Sequence, residues 1–225
     1  MPRNVLVVTP LKAEYRHLYN ALVALKLSAE TDTLGILEVH RFPELNLTLA
    51  RGGHGKTQFG IQTQYLLDHE PFDLVLCAGA AGALAPEVNV RDLIVATATV
   101  EHDYQVRFVK REKPRFPGDA TSIGQIRALD LPGARFKIHF GIMAGGDEDV
   151  IEVKRGKELY KMHNALGVAW EGIGGARACA FSEVPYLELR GATDTADHTA
   201  PFVFDINLKA VMKNIARLLH AWLGG

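Results

Sequence analysis

The chain has 225 residues and a formal net charge of −1; 48% of its residues are hydrophobic and 23% charged. Such a composition suits a soluble globular chain able to bury a large core, and the near-zero charge excludes the basic footprint of a nucleic-acid binder. No apolar run reaches the roughly 18 residues a membrane helix needs, so no membrane partner is expected.

The start, MPRNVLVVTPLKAEY, has an apolar run broken by Pro10 and Lys12, which reads as a first strand and not as a signal peptide. Asn4 to Thr9 is that strand, apolar enough to be covered on both faces. Pro10 suits the first turn of a helix running to about Leu25, with Glu14 in that turn. Gly35–Arg41 and Leu45–Ala50 are candidate strands, and Thr57 to about His69 a helix. Asp73–Ala78 reads as a buried strand entering a glycine-rich turn, Gly79 to Pro86, where backbone can approach a ligand. Leu93–Thr99 is the next strand, and Arg107–Pro117, basic and without period, a long surface loop. Phe136–Ala144 is strand-like, followed by a helix over about Val150–His163. Glu171 opens a small-residue helix, Gly172 to Ala180; Glu183-Val184-Pro185 ends it. Tyr186–Arg190 is a strand ending at Gly191-Ala192-Thr193-Asp194. Asp205 is placed to cap a last helix whose apolar positions Leu208, Val211, Met212, Ile215, Leu218, Leu219 and Trp222 form one face. Strands alternate with helices throughout, which predicts one α/β domain over residues 1–225 with a mixed, largely parallel sheet.

Cys77 and Cys179, the only cysteines, sit in apolar surroundings; they are expected to be reduced, buried thiols, which points to a cytoplasmic location. Two motifs compete for attention. Ala50-Arg51-Gly52-Gly53-His54-Gly55-Lys56-Thr57 nearly fits a phosphate-binding loop, but its first glycine is Ala50, so Lys56 reads better as a structural helix-start lysine. Asp194, Asp197 and His198, and likewise Glu101-His102-Asp103, could be metal ligands, but neither set has the spacing of a metal-binding helix; no metal or cofactor is expected.

Glu14, Glu171 and Asp194 are carboxylates at predicted strand ends or helix starts, and ligands of open α/β sheets bind outside the carboxyl ends of the strands. Cleavage at a sugar's anomeric carbon needs an acid for the leaving group and a carboxylate to activate water. A third carboxylate can grip sugar hydroxyls, with Trp170 and Phe204 as an apolar wall. The competing reading makes Glu14 a helix-dipole partner, Glu171 a cap and Asp194 a turn residue.

Gly53-His54-Gly55-Lys56, Cys77–Pro86, His102-Asp103, Gly141–Asp147, Val168–Glu171 and Arg190–Asp197 stand in the order and spacing of the purine nucleoside phosphorylase/nucleosidase superfamily. The pattern most resembles that of the bacterial 5′-methylthioadenosine/S-adenosylhomocysteine nucleosidases, with a poor fit at about 25–45 and 105–135. The resemblance implies a three-layer α/β fold with a central mixed, partly barrel-like sheet flanked by helices. It also implies a homodimer and cleavage of the N-glycosidic bond of a purine nucleoside without metal or organic cofactor. By position, Glu14 resembles the carboxylate that activates water, Asp194 the acid that protonates the purine at N7, Arg190 the arginine beside the water, Glu171 the ribose clamp and Phe204 the aromatic beside the 5′ substituent.

Four positions depart from that pattern. Ala169-Trp170-Glu171 replaces Glu-Met-Glu, putting Trp170 under the ribose. Ala80, two positions before Gly82 in the glycine-rich turn, replaces a serine. Asp149 or Val150 falls where a phenylalanine stacks on adenine. His54 replaces an isoleucine beside the methylthio group and implies a more polar 5′ substituent, as in futalosine. Phosphorylases of the superfamily carry phosphate-binding arginines. Cys77 stands at one such position, and Lys12 is a candidate near the other, beside the repelling Glu14, so hydrolysis is favoured over phosphorolysis. The alternatives are a phosphorylase and a nucleoside-binding module that has lost catalysis.

Overall fold

The first strand, β1 (Val5–Thr9), is buried at every position. Its alternate side chains serve two cores. Val5 and Val7 pack with the first helix, α1 (Lys12–Ala24), and the last, α6 (Ala200–Leu223), whereas Leu6 and Val8 face the other side of the sheet. The computed structural model describes residues 3–224. Among these, ten strands form one sheet flanked by six α-helices. Between β1 and α6 the chain runs through β2 (Glu30–Leu34), β3 (Leu37–Phe42), a 3-10 turn (Pro43–Leu45), β4 (Leu47–Arg51), α2 (Lys56–His69), β5 (Leu74–Ala83) and β6 (Leu93–Glu101). It continues with β7 (Arg115–Pro117), α3 (Ala120–Arg127), β8 (Ile138–Gly145), α4 (Val153–His163), β9 (Ala165–Ala169), α5 (Gly172–Phe181) and β10 (Tyr186–Asp194).

Hydrogen bonds link the strands in the order β10-β6-β8-β9-β5-β1-β4-β3-β2, with β7 beside β6. β10 also pairs with β5, so β5, β10, β6, β8 and β9 close on themselves while β1, β4, β3 and β2 extend from β5 as an open wing. β1, β4, β5 and β10 run parallel, so their carboxyl ends share one rim. β9 runs antiparallel to β5 and thereby returns the chain toward Ala80 just before Glu171. The layers are helix, sheet, helix. Leu18 and Leu22 of α1 and Leu208, Val211, Ile215 and Leu219 of α6 cover one face, and Phe59 and Leu66 of α2 with Ala176 and Cys179 of α5 cover the other. Each such leucine, isoleucine, valine and phenylalanine, fully buried, contributes about 1.5–3 kcal/mol of transfer free energy.

Several boundaries differ from the sequence reading. The stretch from Gly79 is not a turn at first. β5 continues through it to Ala83, with Gly79 opposite Arg190 and Gly82 opposite Asp194. Pairing to β10 and β9 satisfies its backbone, and its small residues let the closed sheet curve tightly. A Cβ on Gly79 would stand 2.7 Å from the Arg190 guanidinium and 2.8 Å from the Glu14 carboxylate, so a larger residue there would displace both charged groups. β10 likewise extends through Asp194, which is the last residue of the strand and not a turn residue beyond it. α6 begins at Ala200, so Asp205 lies inside the helix and caps nothing; Asp197 instead accepts the Thr199 N–H (2.8 Å) just before that helix. Pro10 precedes α1 and is not in its first turn. The loop after Tyr104 ends in a strand, β7, that pairs with β6. β2, β9 and α3, short and weakly patterned, are absent from the sequence reading.

Candidate active site

The parallel rim and the return of β9 enclose a cavity of about 380 Å³. Its inner end is built around Glu14, which is 2% exposed. α1 starts straight after β1, so this first-turn carboxylate turns back over the strand end. It accepts the Leu11 N–H (2.7 Å) and the Ala80 N–H (2.7 Å). Burial, and then the nearby Glu171 charge, raise its pKa from 4.5 to about 7, against the opposing pull of Arg190 and the two backbone donors. A carboxylate poised there can take a proton near neutral pH.

Glu171 precedes the first residue of α5 and is also buried. One of its oxygens lies 3.3 Å from His54 Nδ1 and accepts the Gly55 N–H at 3.4 Å; the other lies 3.5 Å from Arg190 Nη2. His54 stacks on Trp170 with ring centroids 4.4 Å apart, and the pair walls the outer end of the cavity beside Glu171. Asp194 closes the opposite side. Its Oδ2 accepts the Thr193 hydroxyl (2.8 Å) and its Oδ1 the Ala196 N–H (2.9 Å). Burial raises its pKa despite those two donors, which moves it toward the protonated form an acid needs. Ala80, Gly82, Asp149, Val150, Trp170 and Phe204 line the space between, so each of these sequence-derived candidates reaches the cavity.

Arg190 and Lys12 do not line it. Arg190, 1% exposed, lies behind the wall. Its Nε donates to Glu188 (2.7 Å), Nη1 to the Ala80 carbonyl (3.1 Å) and Nη2 to Cys77 Sγ (3.3 Å). Lys12 is exposed and is not among the residues that line the cavity. Lys56 is held by Asp103 (2.7 Å) and Glu101 (3.0 Å), the arrangement of a structural lysine. Cys77 and Cys179 are buried free thiols whose pKa values burial pushes up.

Sequence reasoning missed Glu148, Ile151, Thr193 and Pro201 in the lining, and Glu188 behind it. Glu188 had a usable signal: a charged residue inside the apolar run of a buried strand demands a partner. Glu148 and Ile151 are brought in by a loop course that carries no period, and Thr193 and Pro201 by the ends of β10 and α6.

Along with the geometry, the chain's likeness to known proteins is extensive. The model of the phosphorylase superfamily matches residues 5–223. The chain belongs to that superfamily. Among its relatives, it is 24% identical to the 5′-methylthioadenosine/S-adenosylhomocysteine nucleosidase of Mycobacterium bovis, over 97% of this chain and 96% of that one. It is 27% identical to the aminodeoxyfutalosine nucleosidase of Campylobacter jejuni, over 73% of this chain and 75% of that one. The crystal structure of the 5′-methylthioadenosine/S-adenosylhomocysteine nucleosidase from Neisseria meningitidis, in complex with methylthio-immucillin-A, superposes with a TM-score of 0.85 at 22% identity, covering 98% of both chains. At that identity the likeness is one of fold, and the closed five-strand sheet with its open wing is the superfamily architecture that the sequence pattern implied.

Proposed function

We propose that the protein is a hydrolase that cleaves the N-glycosidic bond of a purine nucleoside, a 5′-modified adenosine, and releases the free base. The observation that carries this reading is the charge of the cavity. Glu14, Glu171, Asp194, Glu148 and Asp149 line it, and no lysine or arginine does among the described residues. Such a lining favours a cation-like sugar in the transition state and repels phosphate, which supports water as the nucleophile.

The roles follow from position. The base lies against Asp194, whose proton goes to purine N7 as the bond between the anomeric carbon and N9 breaks and its electron pair passes to the base. Glu171 holds the ribose hydroxyls through charge-assisted hydrogen bonds. Glu14 takes a proton from the water whose oxygen bonds to the anomeric carbon. His54, Trp170 and Phe204 surround the 5′ group. The polar His54 edge favours a larger, hydrogen-bonding substituent, and the relatives named for methylthioadenosine, adenosylhomocysteine and aminodeoxyfutalosine mark out the range. The enzyme works in the cytoplasm as a homodimer, which fits its buried thiols and its exposed Ile36, Ile61, Phe108 and Phe181. No described helix is long and apolar enough to cross a membrane.

Base release from a panel of 5′-substituted adenosines, with and without inorganic phosphate, is the test. Release at the same rate without phosphate is expected. A strict requirement for phosphate would make the enzyme a phosphorylase, and tight binding without release would make it a binding module.

A further inference from the structure

Glu188 lies in the middle of β10 and is 1% exposed, as is Arg190 two residues later. Residues two apart on a strand point to the same side, and both point into the sheet's interior behind the cavity wall. The Glu188 carboxylate is fully engaged. Oε1 accepts from Arg190 Nε at 2.7 Å, and Oε2 accepts the Thr99 hydroxyl of β6 at 2.6 Å. It lies flush on the start of α5, where a Cβ on Gly172 would meet its oxygens at 2.2 Å, so the chain keeps glycine directly after Glu171 to make room for it. A charged pair this deep is retained at the expense of two desolvations and has no need to exist for stability.

What the pair does is aim the guanidinium. With Nε held by Glu188, the planar fork has one orientation left. That orientation sends Nη1 to the Ala80 carbonyl and sets Nη2 3.5 Å from Glu171, on the side where Glu14 accepts the Ala80 N–H. Arg190 thus contacts the carboxylate that the hydrolase reading makes the ribose clamp, and it holds the Ala80 peptide whose N–H binds the base, Glu14, without lining the cavity itself. The geometry points to Glu188, backed by Thr99, as a positioning residue that orients Arg190 and through it holds Glu14 and Glu171 in working register. This inference rests on the hydrolase reading.

The charged or titratable groups around the pair are Glu14, Glu171, Cys77, Tyr186 and Arg190 itself. Arg190 is the only cation among them, and it favours ionised Glu14. Glu188 draws on that cation. Replacing it by the uncharged, isosteric glutamine leaves more of the arginine's field for Glu14, so Glu14 ionises at lower pH.

The test is steady-state base release by Glu188→Gln and Thr99→Val across pH. In Glu188→Gln, kcat is expected to fall about tenfold or more with KM within about threefold of the unaltered enzyme. The limb of the pH profile that reports Glu14 is expected to move down by roughly half a pH unit. Thr99→Val, which removes one hydroxyl and keeps the side-chain shape, covers the case in which Glu188→Gln does not fold; its kcat is expected to fall a few-fold at unchanged KM. A loss of melting temperature with wild-type kcat and an unmoved limb in Glu188→Gln would assign the residue to structure alone and overturn the inference. So would wild-type kcat in Thr99→Val where the first variant does not fold. Failure of the hydrolase reading looks different, since the unaltered enzyme would then release no base without phosphate.

Discussion

The two ends of the cavity are built on opposite terms. At the inner end Glu14 and Glu171, with Arg190 behind the wall, are 2%, 5% and 1% exposed, and each is tied to backbone or to another charge. At the outer end the His54 side chain is 55% exposed, stacked on Trp170 and 3.3 Å from the Glu171 carboxylate. Buried charges with fixed partners cannot relax when one is changed, whereas a half-solvated ring can. In the proposed hydrolase the inner end therefore carries the chemistry and the outer end the choice of substrate.

That contrast breaks most visibly at Asp194. Asp194→Asn keeps the shape of the acid but cannot protonate the base. Its kcat is expected to fall by about 10²–10⁴, with nucleoside binding retained by calorimetry; hydrolysis at the normal rate would move the acid elsewhere.

Glu14→Gln is expected to lose a comparable factor in kcat, and it carries a second signature. The folded-state pKa of Glu14 is raised from 4.5 to about 7. Within that window the folded chain holds a proton the unfolded chain has released, so the stability this group provides below pH 4.5 is lost as pH rises through about 7. The full effect is on the order of 3 kcal/mol. Glutamine removes this dependence but leaves one of the Leu11 and Ala80 N–H groups without its acceptor, which costs about 1–3 kcal/mol. The measurable outcome is a difference: the melting temperature of Glu14→Gln relative to the unaltered protein rises between pH 4.5 and pH 8. A pH-independent offset would contradict the burial of an ionised Glu14.

Glu171→Gln keeps a hydrogen-bonding side chain and loses the charge-assisted grip on the ribose, so kcat/KM is expected to drop about 10–100-fold. 2′-Deoxy substrates separate this role from a structural one, because they should lose little further in the variant.

The smallest effect belongs to the mouth. His54→Ile is expected to change the kcat/KM ratio between methylthio and larger polar 5′ substituents by about tenfold while leaving the better rate within a few-fold. An equal loss on all substrates would show that the outer wall belongs to the catalytic end after all, erasing the contrast between the two.

Much of this was legible in the order of residues. The buried strand at Val5–Thr9, the apolar face of α6, the strand-end carboxylates and the superfamily pattern all show in the sequence, because periodicity and local chemistry survive without coordinates. The misjudged elements share a cause. The Gly79–Ala83 segment reads as a turn, since small residues lack strand propensity. It is a strand because β10 and β9 pair with it from both sides, and pairing overrides propensity. Short strands such as β9 and β2 exist for the same reason.

What the sequence determined by itself was which ionisable residues follow strand ends and therefore could meet. Only the tertiary structure decided which of them do. Closure of the five-strand sheet brings Glu14 from one end of the chain beside Glu171 and Arg190 from the other, and burial there supplies the desolvation that raises the pKa of Glu14 and of Asp194. It also decided that Arg190 lies behind the wall, held by Glu188, which Thr99, 89 positions away, reaches only when β10 and β6 become neighbours. Long-range pairing and dielectric environment are properties of the folded whole, and no local pattern encodes them.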